Sequence, residues 1–211
     1  MVERFVAGSN PAGSTNFLTD IRRFKLILGI DKLTNLPQYP PTMKYQIKQD
    51  ENALSPNEDG DTGLFLVANH RGFYVAEPGE KRINCGAAEL VQKYKKTHHI
   101  FPIEAYIHSG VVLAFSHEGN FCDRQWDVSQ VGFIFVAKSE WRLNKSARKA
   151  AESLLTTWNQ YLSGDVWGYV IEDEEGNHLD SCWGFYGKEY AESEAKSAMK
   201  ELDRATESVT V

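Results

Sequence analysis

Val131-Gly132-Phe133-Ile134-Phe135-Val136-Ala137 decides the fold. A run of this length without a polar side chain is too short to span a bilayer and the right length for a strand. Phe133, Ile134 and Phe135 are consecutive, so alternation sends bulky apolar groups to both faces of that strand, and neither face can meet water. Working outward, Ala151, Leu154, Leu155, Trp158 and Leu162 repeat at helical spacing, and Gly164 stands where a C-terminal cap belongs. Strands are predicted at 166–172 and 178–186, joined by Asp173-Glu174-Glu175-Gly176-Asn177, a hairpin signal. Ala191, Ala195, Ala198 and Leu202 form the stripe of a final helix, with acid-rich 189–194 at its start as the macrodipole favours.

Upstream of the apolar strand, alternation over 45–49 predicts a first strand, the Asn, Asp and Gly cluster 57–62 a turn, and 64–68 a buried strand. Ala87, Leu90, Val91 and Tyr94 predict a helix over 87–97. Residues 100–115 read as two strands broken near Ser109-Gly110. About three helices thus interrupt a mostly antiparallel sheet, an α+β arrangement expected to form a single domain over 43–211.

Composition narrows the function classes. The chain has 211 residues, of which 42% are hydrophobic and 25% charged, with a net charge of −6; this is a chain with a core, not a disordered one. The acidic balance argues against nucleic acid and anionic membranes as partners, since both are bound by basic surfaces. No apolar run approaches the roughly 20 residues of a membrane span, so no membrane partner is expected. Cys85, Cys122 and Cys182 are too few and too odd in number for a disulfide framework, which makes a reducing cytoplasm the expected compartment.

Residues 1–42 hold four of the seven prolines and no sustained periodicity, and are expected to lie outside the fold. Within them, Gly8-Ser9-Asn10-Pro11 is what the codons GGT-TCG-AAT-CCN encode, the T-arm of a transfer-RNA gene, and codons for the flanking residues can be chosen to complete its stem and acceptor strand. The expectation is a translated stretch of transfer-RNA gene preceding a native start at Met43. The remaining 169 residues hold 18 Lys and Arg against 26 Asp and Glu.

Several constellations invite a chemical reading. Cys182 lies in Asp180-Ser181-Cys182-Trp183-Gly184-Phe185-Tyr186-Gly187, and a thiolate nucleophile needs a base and an orienting group, roles open to His108 and Asp127. Free cysteine more commonly packs as a small apolar group. Phe121, Cys122, Trp126 and Asp127 occupy a loop before the strongest strand; such a loop either presents a binding surface or, more commonly, folds back so that Trp126 caps the core. Adjacent His98-His99 fit a charge role at a helix C-terminus better than a metal role, and His117 and Cys122 have no ligand partners at metal spacing, so no metal is expected. No phosphate-binding glycine loop is present and no cofactor is expected. The acidic runs at 50–51, 58–61 and 172–175 offer a DNA-like charge pattern, but such runs are more commonly solvated faces and turns.

Lys48-Gln49-Asp50-Glu51, Ala105-Tyr106-Ile107-His108-Ser109-Gly110, Phe121-Cys122, Trp126-Asp127, the run 130–136, the run 161–169 and above all the octapeptide 180–187 together resemble a family of small, uncharacterised proteins encoded by phages, plasmids and related contigs. The loop 122–130 is two residues longer here than the family pattern. The resemblance implies an origin in a mobile genetic element and no particular reaction. The expected function is therefore that of a non-enzymatic accessory protein that binds a host protein in the host cytoplasm, in host takeover or counter-defence. Phe121, Trp126, Gln130, Asp180, Trp183 and Tyr186 are its candidate binding residues. The alternative is a cysteine-dependent hydrolase or transferase using Cys182, His108 and Asp127.

Overall fold

The strand containing 131–137 lies at the centre of a five-stranded sheet. A computed structural model describes residues 42–58, 63–122 and 124–207. The segment on which the transfer-RNA reading rests, within residues 1–41, and part of the turn at 57–62 lie outside these. Described residues form two antiparallel sheets with helices, so the observed class is α+β, as the periodicities predict. The chain divides into two units, one of residues 54–165 and one combining 42–53 with 166–207.

In the first unit, β2 (Leu64–His70), β3 (Phe73–Val75), β4 (His98–Ile107), β5 (Val111–Phe115) and β6 (Val128–Ala137) are ordered β3-β2-β6-β4-β5. Pairing of β6 runs from Leu64↔Val136 to Ala68↔Gly132 on one side and from His98↔Ala137 to Tyr106↔Val128 on the other. Alternation then distributes the apolar groups as the central run requires. Leu66, Ala68, Ile103, Ile134 and Val136 face Ala147, Ala151, Leu154 and Trp158 of α3 (Asn144–Leu162). Phe65, Val67 and Phe135 face Leu90 of α1 (Ala87–Tyr94). Gly164 takes the left-handed conformation (φ +73°) after α3, where its N–H donates to Tyr161 and that of Asp165 to Gln160, the paired bonds of a Schellman cap. Asn159 of α3 bonds both the N–H and the carbonyl of Leu113 (2.8 and 3.0 Å), occupying the outer edge of β5 as a neighbouring strand would.

The second unit pairs β1 (Lys44–Gln49), β7 (Val166–Glu172) and β8 (His178–Tyr186) in the order β1-β7-β8. One face of this sheet, with Tyr169 and Ile171, packs on Ala195, Ala198, Met199 and Leu202 of α4 (Lys188–Glu207). Asp173 and Asn177 close the β7–β8 turn, with Gly176 left-handed at φ +84°.

Two local expectations are corrected. The helix predicted over 87–97 stops at Tyr94, because β4 begins at His98 rather than at 100. His98 and His99 are therefore strand residues that point to opposite faces, not a charged helix end. His98 lies among Phe65, Tyr94 and Phe135, where burial and the charge of Lys138 lower its pKa, and His99 Nε2 is 2.9 Å from the Trp141 carbonyl. No helix among the described residues is long and apolar enough to cross a membrane.

Candidate functional site

The candidate residues of the first unit gather on the α1 side of the five-stranded sheet, beyond the part that α1 covers. Glu104, Tyr106 and His108 follow one another on this face by alternation along β4. The β4–β6 register shifts next to Glu104: Gly132 faces Ile103 and Gln130 faces Glu104, leaving Val131 as an extra residue. Val131 packs into the α3-side core, which turns Gln130 to the α1 side.

Glu104, which sequence reasoning passed over, organises the loop that follows β5. Its carboxylate is 4% exposed and receives a two-pronged bond from Arg124 (3.0 and 2.7 Å) and the backbone N–H groups of His117 (2.9 Å) and Gly119 (3.2 Å). Burial alone raises its pKa, but these donors outweigh burial and hold the carboxyl below its ordinary value. His117 is left-handed (φ +67°), the conformation that aims its N–H at the carboxylate. Gly119 admits no side chain, since a Cβ there would lie 2.3 Å from the Phe121 ring and 2.8 Å from Glu104. Glu118 is tied to Arg148 of α3 (3.2 Å), whose guanidinium lies 3.6 Å from the centre of the Phe115 ring. The only sequence signal for this clamp was a carboxylate in an otherwise apolar strand.

From this braced loop rises α2 (Arg124–Asp127), a single four-residue turn that the sequence reading treated as loop. Trp126 on it is 80% exposed, so it presents a surface rather than capping the core. Phe121 stacks on Tyr106 (5.6 Å between centroids), and Tyr106 on His108 (6.3 Å), giving a row of near-parallel rings. Asp127 Oδ2 is 3.5 Å from His108 Nδ1. Val112, paired with Tyr106, adds an apolar group 47% exposed. Phe121, Trp126, Gln130, His108 and Asp127 thus belong to one unit and one region of it. The arrangement offers aromatic area on a hydrogen-bonded support with polar groups beside it, the composition of a protein-binding patch.

Cys182, Asp180, Trp183 and Tyr186 belong to the second unit, on β8. Cys182 and Asp180 face α4, and Asp180 accepts a hydrogen bond from the Tyr169 hydroxyl (3.0 Å), whose pKa burial and that carboxylate push far upward. Burial, with the charges of Asp180 and Glu194, raises the pKa of the Cys182 thiol, and a backbone hydrogen bond at Trp183 offsets this only in part, so the net direction is opposite to that of an activated nucleophile. Trp183, 42% exposed, lies on the other face over Gly168. A register shift opposite Gly168 then returns Phe185 to the α4 side, stacked on Tyr169 at 5.8 Å, and leaves Tyr186, paired with Val166, on the Trp183 side. Asp180 therefore shares no face with Trp183 and Tyr186.

Described members of the acidic runs are engaged in local turns. Asp50 accepts the Asn52 N–H, Glu58 the Ser55 N–H and hydroxyl, and Asp173 the Asn177 N–H and amide. Among the described residues, no group of three or more His, Cys, Asp or Glu could hold a metal ion. Compared with known proteins, the chain matches no family model, no curated protein and no solved structure.

Proposed function

We propose that this chain is a non-enzymatic accessory protein of a phage or related mobile element that binds a host protein in the host cytoplasm through the patch around Trp126. The observation that carries this reading is the exposure of Trp126, 80%, on a turn that Arg124 ties to the buried carboxylate of Glu104. A large indole held in water is a common anchor of an interface, and the hydrogen bonds that tie Arg124 to Glu104 and to the Gly119 carbonyl reduce the ordering needed on binding. The origin in a mobile element rests on the resemblance of the segments from Lys48 to Gly187. Affinity capture from host lysate tests the reading: the full chain should retain one stoichiometric protein that a Trp126→Ala bait loses. A bait that captures nothing, or the same protein with and without Trp126, overturns it.

The cysteine-enzyme reading retains one favourable observation, the His108–Asp127 contact at 3.5 Å. It requires a depressed Cys182 pKa, and thiol labelling distinguishes the two readings.

A further inference from the structure

Beside α1 the first unit contains a cleft of about 340 Å³, within the range of about 300–1,000 Å³ common for small-molecule sites. Val67 of β2, Phe133 of β6, Leu90 of α1 and the half-buried Cys85 supply apolar lining. Asn69 of β2 and Gln130 of β6 add two carboxamides; among the described residues, neither has a side-chain hydrogen bond and no charged side chain lines the cleft. Gln130 reaches it only through the extra residue Val131; strict alternation from Ile134 and Gly132 would send Gln130 to the α3 side. Bulges that re-aim a side chain in this way are common beside binding sites.

We propose that this cleft binds a small, neutral, planar heterocycle with a hydrogen-bond donor and acceptor side by side on one edge, the chemistry of a nucleobase. A carboxamide carries a donor and an acceptor in one plane and is matched by such an edge. The apolar groups of Val67, Leu90 and Phe133 suit the faces of a ring. With no cation among the described lining residues, the proposed ligand is the uncharged base rather than a nucleotide, whose phosphate would call for one. The cleft shares Gln130 with the edge of the Trp126 patch but is not lined by Trp126, and the inference does not depend on the protein-binding reading.

The test is isotope-edited NMR of the full chain titrated separately with adenine, cytosine and uracil, and with toluene as a ring lacking a polar edge. At least one base is expected to shift the side-chain amide signals of Asn69 and Gln130 and the methyl signals of Val67 and Leu90, and to saturate. Gln130→Leu should weaken that binding at least about tenfold, Ala87→Phe should block it by filling the cleft, and Glu174→Gln, on the exposed β7–β8 turn of the other unit, should leave it unchanged. Absence of these shifts with every base, equal affinity for toluene, or base binding that survives both cleft variants overturns the proposal. Should Gln130→Leu fail to fold, the Ala87→Phe comparison decides.

Discussion

Glu104 has four donors around one buried carboxylate, and the loop that presents Trp126 is organised by it. Glu104→Ala strands the N–H groups of His117 and Gly119 and is expected to cost about 1–3 kcal/mol in urea unfolding. The cost stays below that of a fully enclosed pair because the Arg124 side chain is 40% exposed and can turn to water. Its pH dependence has a definite sign. A carboxyl whose folded pKa is depressed contributes its full stability above the unfolded value, near about 4.3, and loses it as pH falls through the lower folded value. The amide NMR signals of His117 and Gly119 should therefore hold through mild acidification and lose their dispersion below that range, and Glu104→Gln should lack this step. At Cys182, in a Cys85→Ser, Cys122→Ser background, thiol reagents at neutral pH should label slowly until the protein unfolds; rapid labelling of the folded chain would revive the enzyme reading. None of these environments is visible in a list of residue types: Glu104 in sequence is one charge in a strand, and its partners come from a loop a dozen or more positions away.

Elements with a sustained period were legible, and they correspond to β6, α3, β7, β8 and α4. Short or displaced ones were not. A three-residue β3 and a four-residue α2 have no room for a period, and the start of β4 at His98 was hidden because the preceding helix pattern ran into it. Two register shifts, beside Glu104 and opposite Gly168, were equally hidden, since one extra residue leaves local composition unchanged while exchanging faces beyond it. They decide the sites: one turns Gln130 toward the cleft, the other separates Phe185 from Trp183. Both can be probed at the glycines beside them. A Cβ on Gly132 would lie 1.9 Å from the Val67 carbonyl oxygen, a backbone atom that cannot swing aside. On Gly168 it would meet first the Trp183 ring at 2.3 Å and then the Cys182 carbonyl at 2.8 Å. Gly132→Ala is thus expected at or above the upper end of about 1–3 kcal/mol for overpacking, and Gly168→Ala below it, because the half-exposed Trp183 can move. Equal denaturation midpoints for the two variants would count against this ranking.

Charge divides unevenly over the whole molecule. Residues 54–165 hold twelve Lys and Arg against thirteen Asp and Glu, whereas 43–53 and 166–211 together hold six against thirteen. The acidity noted for the whole chain is therefore a property of the second unit. Which strands share a sheet was not legible either: β1 at 44–49 pairs with β7 at 166–172, and local alternation carries no information about partners so distant in sequence. If the Trp126 patch of the nearly neutral first unit is the interface, raising salt from about 0.05 to about 0.5 M should leave capture largely unchanged. A steep loss with salt would point to the acidic unit instead. The most direct test of the central claim places a photo-crosslinking residue at position 126, as Trp126→p-benzoylphenylalanine, with Glu174→p-benzoylphenylalanine on the β7–β8 turn as the control. Illumination of host cells should give one discrete adduct from position 126 and none from 174. No adduct at 126, or the same adduct from both positions, would contradict the assignment of the interface.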